Sequence, residues 1–136
     1  MPILNVTVSG ASGKPNNATI AKTLSGLTRQ HLRKDPQLTS VAITSIPAED
    51  WFVGGASLAG QRKSSFWLDI KVVDGTNTKQ ELAAYIAAVF AAMSDLLGDV
   101  HTESYVLVHE VPASAYGYGG KTQEHRYVAG QMQAAA

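Results

Sequence analysis

Proline at position 2 carries the most distinctive chemistry in this sequence. A proline nitrogen inside a chain is an amide without a basic lone pair, but removal of Met1 converts that of Pro2 into a secondary amine. Burial in an apolar pocket disfavours the charged form of an amine and lowers its pKa toward neutrality, where a general base works best. Pro2 is therefore a candidate catalytic base, but taken alone a proline at this position is better explained as the structural start of a strand.

Three aromatic side chains and two cations are candidates for a substrate pocket around such a base. Trp51, Tyr105 and Tyr116 are candidates to wall a pocket for a flat conjugated substrate, with a tyrosine hydroxyl donating to the developing enolate oxygen. Arg29 and Lys71 are candidates to bind a negatively charged substrate group. For each residue the alternative is structural, because aromatic residues commonly serve the core and long cations commonly remain solvated.

The overall composition narrows the class of protein and of partner. The chain has 136 residues, 45% of them hydrophobic, which suits one compact domain. Its 11 basic and 11 acidic side chains balance, which argues against nucleic acid as a partner. It has no cysteine, and its four histidines lack metal-ligand spacing, so no metal or other cofactor is expected. The expected partner is a small-molecule substrate.

The sequence also bears on membrane insertion and location. The longest apolar stretch, residues 82–97, is interrupted by Ser94 and Asp95 and falls short of the roughly 18 to 20 residues that span a bilayer. We therefore expect no contact with a membrane. The first residues lack the basic start and small-residue cleavage site of a secretory signal, which predicts a cytoplasmic location.

The chain contains an internal repeat with a constant offset of 65 residues. At this offset Gly10 meets Gly75, and the later matches follow in the same register without a gap. We therefore divide a single domain into a first repeat, residues 2–60, a second repeat, residues 66–123, and a tail, residues 124–136. The later matches are Pro47-Ala48 with Pro112-Ala113, Trp51 with Tyr116, and Gly54-Gly55 with Gly119-Gly120.

Each repeat has the pattern of a strand, a helix and a returning strand. Alternating β-branched residues predict strands at residues 2–8, 41–46, 66–73 and 104–111. An apolar stripe at i, i+3, i+4 and i+7 predicts the second helix, which Thr78 and Glu81 open as a capping box and Gly98 ends. A weaker stripe from Ile20 to Leu32 predicts the first helix, which begins near Asn16 or Asn17.

The order of elements defines a fold class. A helix that connects two strands of one sheet makes those strands parallel, and the right-handed rule places both helices on one face. The sequence thus predicts an α+β fold, in which a tandem βαβ repeat forms a four-stranded mixed sheet with two helices on one face. Nothing in the chain covers the other sheet face, so we expect self-association.

Four features together resemble the tautomerase superfamily, typified by 4-oxalocrotonate tautomerase. The chain opens with Met1-Pro2-Ile3 at a strand, Gly10 and Gly75 end the first strands, and Leu38-Thr39-Ser40-Val41 leads into a returning strand. The fourth feature is a pair of segments similar to the aromatic and glycine-rich hairpin of that enzyme, Trp51-Phe52-Val53-Gly54-Gly55 and Tyr116-Gly117-Tyr118-Gly119-Gly120. The resemblance covers residues 2 to about 123. The two-repeat length is similar to that of cis-3-chloroacrylic acid dehalogenase, malonate semialdehyde decarboxylase and macrophage migration inhibitory factor.

The resemblance implies a function and an assembly. It implies a cofactor-independent isomerase of the tautomerase type, acting on a small keto or enol acid with Pro2 as the base, and a homotrimer that covers the open sheet face. Two alternatives remain: a tautomerase-fold protein without catalysis, and a ferredoxin-like βαββαβ binding module.

The sequence also departs from the pattern of the superfamily. The two arginines of the single-repeat tautomerase align with Ala11 and Thr76 after the strand-ending glycines, and with Ser40 and Tyr105 in the returning strands. The clamp for a dicarboxylate is therefore absent. The helix histidine of the dehalogenase aligns with Thr28, or with Arg29 if the helix slips by one residue, so dehalogenation is not supported.

Overall fold

The computed structural model describes residues 1–10 and 16–135. Ala11, one of the positions compared with the arginines of the superfamily, lies outside these residues. The elements are β1 (Ile3–Ser9), α1 (Asn17–Leu32), β2 (Ser40–Ser45), β3 (Phe52–Val53), β4 (Ala56–Ser57), α2 (Leu58–Gln61), β5 (Ser65–Val73), α3 (Lys79–Leu97), β6 (Tyr105–Val111), β7 (Gly117–Tyr118), β8 (Lys121–Thr122) and α4 (Gln123–Ala135).

Four strands form the central sheet in the order β2-β1-β5-β6. Within each repeat the two strands are parallel, whereas β1 and β5 pair antiparallel where the repeats meet. The predicted α+β fold with a mixed four-stranded sheet is therefore confirmed. Because β1 and β5 run in opposite directions, the start of each repeat lies at the opposite end of the sheet from the start of the other.

The helices begin and end where the capping residues predict. The Asn16 side chain accepts a hydrogen bond from the Thr19 amide at 2.8 Å and starts α1. Thr78 and Glu81 form the predicted capping box of α3, and Gly98 ends that helix. Each helix presents one buried row to the sheet at i, i+4 spacing. The rows are Ile20, Leu24, Thr28 and Leu32 in α1, and Tyr85, Val89, Met93 and Leu97 in α3.

Helix α3 alters one prediction from the sequence. By length and composition alone its 19 residues are apolar enough to cross a bilayer, so the expectation that no stretch qualifies was wrong on that criterion. In this structure, however, the buried row of α3 packs in the same hydrophobic cluster as the inward residues of β1 and β5, including Leu4, Val6, Leu68 and Ile70. The helix therefore serves here as a core helix.

The sheet register corrects the constant repeat offset. Leu4 pairs with Val41 in the first repeat, as Leu68 pairs with Val106 in the second. The returning strands β2 and β6 keep the offset of 65, whereas β1 and β5 are related by an offset of 64. The inward residues of β1 and β5 must face the helices, and a slip of one residue would turn them to the other sheet face. The counterpart of Pro2 is therefore Phe66.

Gly10 follows β1 in a conformation that few other residues adopt. Its φ is +83°, and a Cβ added there would lie 2.4 Å from the Lys63 carbonyl oxygen. Gly75, its partner in the sequence repeat, also has a positive φ of +76°, yet a Cβ there would meet nothing within 4 Å. Only the first glycine is therefore required for packing as well as for backbone conformation.

Two short hairpins and a last helix extend from the sheet. The hairpin of β3 and β4 follows β2, and that of β7 and β8 follows β6. The segment interpreted as a tail, residues 124–136, is helical as far as Ala135. Helix α4 carries three exposed apolar side chains, Tyr127, Val128 and Met132.

The sheet face opposite the helices is open and partly apolar. Its exposed large side chains include Trp67, Tyr105 and Leu107, which are 46%, 52% and 37% exposed. The Asp69 carboxylate of β5 and the His109 ring of β6 share a hydrogen bond on the same face. No element among the described residues covers this face, as the sequence predicts.

Candidate active site

Pro2 is buried at the edge of a cavity of about 410 Å³. Its carbonyl oxygen accepts a hydrogen bond from the Ser40 amide at 3.1 Å, which fixes it beside the start of β2. We call this space the proline cavity. It is lined by Met1, Pro2, Ile3, Gln37, Leu38, Thr39, Ser40, Tyr116, Gly117 and Tyr118. Pro2 thus lies in a partly apolar recess, the environment in which an amine loses its charge most readily.

The environment of the terminal amino group is directly visible, because Met1 precedes Pro2 in this structure. Burial lowers the pKa of the Met1 amino group, and the positive charge of Lys34 lowers it further. This environment thus disfavours the charged form of the Met1 amino group. With Met1 attached, the Pro2 nitrogen itself is an amide and has no proton to exchange.

Lys34 is a residue of this region that the sequence did not single out. The Lys34 ammonium donates a hydrogen bond to the Thr76 hydroxyl at 2.8 Å. Burial lowers the pKa of Lys34, and the positive charge of the neighbouring Arg33 lowers it further. Arg33 forms an ion pair with Glu81 and also donates to the Thr76 carbonyl at 3.2 Å. Thr76 stands where the superfamily has an arginine in the second repeat. It therefore binds a cation that the first repeat supplies. The sequence feature that could have indicated these cations is the basic pair Arg33-Lys34, directly after the apolar stripe of the first helix.

Tyr116 is the predicted aromatic residue that the structure brings to Pro2. It lines the proline cavity, and its hydroxyl donates to the Lys71 carbonyl at 3.4 Å. Burial raises the pKa of the Tyr116 hydroxyl, while a hydrogen bond with the Ile3 backbone opposes that shift. A hydroxyl that stays protonated beside the base can donate to an enolate oxygen when it exchanges its long hydrogen bond to the Lys71 carbonyl for one to the substrate.

The two predicted cations have different positions. Lys71 is the Cα partner of Ile3 across β5 and β1, one residue from Pro2, although its side chain is not among those that line the proline cavity. Arg29 is exposed in the last turn of α1 and also lies outside the lining. The described geometry thus places Lys71, but not Arg29, beside the strand that carries Pro2.

The other two predicted aromatic residues line a second cavity. Trp51 and Tyr105 contribute to a space of about 1140 Å³ at the opposite end of the sheet, together with Phe52 and Trp67. We call this space the aromatic cavity. It is the counterpart of the proline cavity in the internal repeat, because Trp51 corresponds to Tyr116, Tyr105 to Ser40 and Trp67 to Ile3.

Thr28, the position aligned with the histidine of the dehalogenase, has a structural role. It is buried between α1 and α3, and its hydroxyl donates to the Leu24 carbonyl at 2.7 Å. The same oxygen lies 2.9 Å from the hydroxyl of Tyr85. Thr28 therefore joins the two helices inside the core and does not reach the proline cavity.

The described residues offer no site for a metal ion. Across residues 1–10 and 16–135, no group of three or more His, Asp or Glu side chains is placed to hold one.

Comparison of the sequence with protein families identifies one match. Residues 67–126 match the family described as "Tautomerase enzyme". A search of curated protein sequences finds no significant match. The matched segment includes β5, α3, β6 and the second hairpin, so the second repeat carries the sequence pattern of the family without a proline at its start.

Solved structures share the fold along almost the whole chain. A fused 4-OT, described as a wild-type symmetric trimer, is 22% identical with a TM-score of 0.74, covering 90% of this chain and 96% of the other. Macrophage migration inhibitory factor from Oncomelania hupensis is 14% identical with a TM-score of 0.72, covering 99% and 95%. N1, a member of the cis-3-chloroacrylic acid dehalogenase family, is 20% identical with a TM-score of 0.68, covering 92% and 90%.

These comparisons confirm the resemblance to the tautomerase superfamily. The chain has the two-repeat tautomerase fold, and its second repeat has the matching sequence pattern. A match to a family of enzymes supports catalysis of the tautomerase type or of a related type.

Proposed function

We propose that this protein is a cofactor-independent tautomerase that uses the amino-terminal nitrogen of Pro2, exposed by removal of Met1, as its general base. The observation that carries the proposal is the burial of Pro2 at the edge of the proline cavity, where Tyr116 belongs to the same lining. A base must be uncharged to accept a proton, and burial favours the uncharged form of an amine.

The substrate class follows from the charges around the cavity. A keto–enol transfer requires a base for the α-proton and a donor for the oxygen that becomes negative. Tyr116 supplies a hydroxyl that burial keeps protonated, and Lys34 supplies a positive charge near the chain start. We therefore propose a small α-keto or enol acid with a flat conjugated body as the substrate.

The alternative is a tautomerase fold that has lost catalysis and only binds ligands. The missing arginine at Thr76 favours that alternative, but the cation of Lys34 at the same place offsets the loss. The two functions differ in whether the chain start is a reactive amine.

A mass measurement and an activity assay test the proposal together. We expect the purified protein to lack Met1, to interconvert the enol and keto forms of an arylpyruvate, and to lose that activity in Pro2→Ala. An added amino-terminal residue, which makes the Pro2 nitrogen an amide, is expected to abolish activity equally. Pro47→Ala is the matched control, because Pro47 is exposed and lies outside the proline cavity.

Chemical labelling gives a second readout that is independent of the natural substrate. Bromopyruvate, an alkylating α-keto acid, is expected to modify one site per chain at the Pro2 nitrogen, and the added residue is expected to prevent it. Unchanged turnover in the extended protein would exclude Pro2 as the base, and labelling elsewhere would favour the ligand-binding alternative.

We also propose that the protein is a homotrimer. The open sheet face carries the exposed Trp67, Tyr105 and Leu107, and an apolar face of this kind is commonly covered by a partner. A structural relative of 22% identity is described as a symmetric trimer. We expect light scattering to give about three times the 14.4 kDa of one chain, and a monomer mass contradicts the trimer.

A further inference from the structure

Arg126 lies against the ring of Tyr118, one of the residues that line the proline cavity. The central carbon of its guanidinium is 3.9 Å from the centroid of the Tyr118 ring. The Nη2 atom of the same side chain donates a hydrogen bond to the Tyr118 carbonyl at 3.1 Å. Because Tyr118 belongs to β7 and Arg126 to α4, these two contacts hold the second hairpin on the last helix.

The first hairpin is supported at the equivalent position by an uncharged residue. At the repeat offset of 65, Gln61 corresponds to Arg126 and Val53 corresponds to Tyr118. The Gln61 side-chain amide donates to the Val53 carbonyl at 2.9 Å, as Arg126 donates to the carbonyl of Tyr118. Both hairpins therefore have this hydrogen bond, whereas only the second of the two combines it with a cation on an aromatic ring.

The turn of the second hairpin leaves room for the guanidinium. Gly119 has a φ of +61°, and a Cβ added there would lie 2.8 Å from Arg126 Nη2. Gly54, its counterpart in the first hairpin, has a φ of +64°, yet a Cβ there would meet nothing within 4 Å. The close approach of Arg126 to the turn thus requires a residue without a side chain at position 119.

The ring of Tyr118 is the main partner that the guanidinium has. Within residues 1–10 and 16–135, no Asp or Glu forms an ion pair with Arg126, and its buried Nε has no hydrogen-bond acceptor. A buried N–H without an acceptor costs free energy, and the electron-rich face of an aromatic ring offsets part of that cost for a cation. The contact therefore fixes the guanidinium and the ring relative to each other.

We propose that Tyr118 is the wall on which the flat body of the substrate stacks, and that Arg126 is the positioning residue that holds this ring. The inference rests on the function proposed for Pro2. Arg126 is not among the residues that line the proline cavity, so it acts through Tyr118. A ring that is already held in one orientation loses less conformational entropy when a substrate packs against it, which increases affinity.

Loss of this wall affects binding more than chemistry. Stacking is present in the bound substrate and in the transition state alike, so its removal raises KM and leaves kcat nearly unchanged. We expect Tyr118→Leu to raise the KM for phenylpyruvate roughly fivefold, as for the loss of one aromatic pair. Arg126→Leu is expected to raise KM to a similar extent, because the ring is then no longer held.

A double variant tests whether Arg126 acts through Tyr118. Two residues that contribute by one route have effects that do not add. Arg126→Leu is therefore expected to raise KM in the protein that contains Tyr118 and to have no further effect in Tyr118→Leu. Effects on KM that multiply in the double variant overturn the proposal.

Arg126→Gln separates the ring contact from the hydrogen bond. Gln61 shows that a glutamine at this position of the repeat can donate to the hairpin carbonyl. Urea unfolding of Arg126→Gln is therefore expected to match that of the unmodified protein, whereas Arg126→Leu is less stable. The KM is expected to be raised equally in both variants, because neither places a cation on the ring. A KM that returns to its original value together with stability in Arg126→Gln shows a purely structural role and overturns the proposal.

Gln61→Leu is the matched control. It removes the corresponding hydrogen bond from the first hairpin, and Gln61 does not line the proline cavity. We expect it to lower stability about as much as Arg126→Leu and to leave the KM for phenylpyruvate unchanged. An equal rise of KM in the two variants shows a general loosening of the protein and contradicts the role of Arg126.

Labelling of Pro2 distinguishes failure of this inference from failure of the proposed function. Bromopyruvate is expected to modify the Pro2 nitrogen in the unmodified protein and in Arg126→Leu. If both are labelled and their KM values for phenylpyruvate are equal, the positioning role is overturned and the role of Pro2 stands. If the unmodified protein is not labelled at Pro2, the proposed function fails, and this inference fails with it.

Discussion

Burial, and then the positive charge of Lys34, lower the pKa of the amino group of Met1, the residue before Pro2. Lys34 follows α1 in the first repeat, yet its ammonium is held by Thr76 in the second repeat. The two repeats therefore jointly set the electrostatic environment of the chain start.

Replacement of Lys34 tests this relationship. Because the burial and the cation that act on the Met1 amino group would also surround a Pro2 amine, we expect the activity of the mature protein to rise with pH through the pKa of that amine. In Lys34→Ala the amine loses a neighbouring cation, so the inflection is expected to move to higher pH. The KM for an acid substrate is expected to rise roughly tenfold, as for the loss of one charged contact.

The control for Lys34→Ala is Lys22→Ala, because Lys22 is exposed on α1 and is not a charge that shifts the pKa of the Met1 amino group. Steady-state kinetics between pH 5 and 9 give both the pH of the inflection and the KM. An inflection at the same pH in Lys34→Ala and in the unmodified protein contradicts the electrostatic role of Lys34.

Removal of the Tyr116 hydroxyl tests its proposed role as the donor to the enolate oxygen. Loss of one such donor is expected to lower kcat by roughly 100-fold, with a smaller effect on KM, because the hydrogen bond strengthens as charge develops. Tyr116→Phe is compared with Tyr127→Phe, which removes a hydroxyl from an exposed ring on α4. If the two variants have the same kcat, the donor is another group.

Alanine substitutions of Gly10 and Gly75 separate conformational strain from steric conflict. Gly75→Ala places alanine at a positive φ in open space and is expected to lower the free energy of unfolding by about 1–2 kcal/mol. Gly10→Ala adds a clash with the backbone of Lys63 and Ser64, which is expected to lower it by roughly 1–3 kcal/mol more. Urea unfolding measures both, and equal losses contradict the close contact at Gly10.

The buried hydrogen bond between Thr28 and Tyr85 gives an asymmetric prediction. Tyr85→Phe leaves the Thr28 hydroxyl bonded to the Leu24 carbonyl and is expected to lower the free energy of unfolding by about 1 kcal/mol. Thr28→Val removes the partner of the buried Tyr85 hydroxyl and is expected to lower it by about 1–3 kcal/mol. The reverse order contradicts this assignment of partners.

Tyr85 also predicts how stability depends on pH. Burial raises the pKa of its hydroxyl to about 12, against the opposing effect of the hydrogen bond to Thr28. A pKa raised in the folded state gives stability that is complete below the unfolded value of 10 and is lost as pH rises toward 12. We expect unfolding measured between pH 9 and 11 to show this loss in the unmodified protein and a smaller one in Tyr85→Phe.

The helices were the most accurately predicted elements, because their signals are local. The caps at Asn16 and Thr78 and the end at Gly98 depend on a few neighbouring residues, and all three are present. The apolar stripe from Ile20 to Leu32 did not indicate that the hydroxyl-bearing Thr28 is buried on the same face of α1. A hydroxyl becomes acceptable in the core only when Tyr85, far along the chain, supplies a partner for it.

The sequence identified the candidate aromatic residues but did not show which of them lie in the same cavity. Trp51, Tyr105 and Tyr116 were predicted together, but the structure divides them between two cavities. The reason is the antiparallel pairing of β1 with β5, which brings the hairpin of each repeat to the strand start of the other. Tyr116 of the second repeat therefore meets Pro2, whereas Trp51 lies at the opposite end of the sheet.

The sequence alone determined the repeat, the α+β class, the helix ends and the proline at position 2. Periodicity, capping and residue type can be read from neighbouring residues. The tertiary structure decided the one-residue difference between strand offsets, the approach of Lys34 to the chain start and the separation of the two cavities. Each of these depends on which strands pair and in which direction, and strand pairing joins residues whose distance along the chain leaves no local signal.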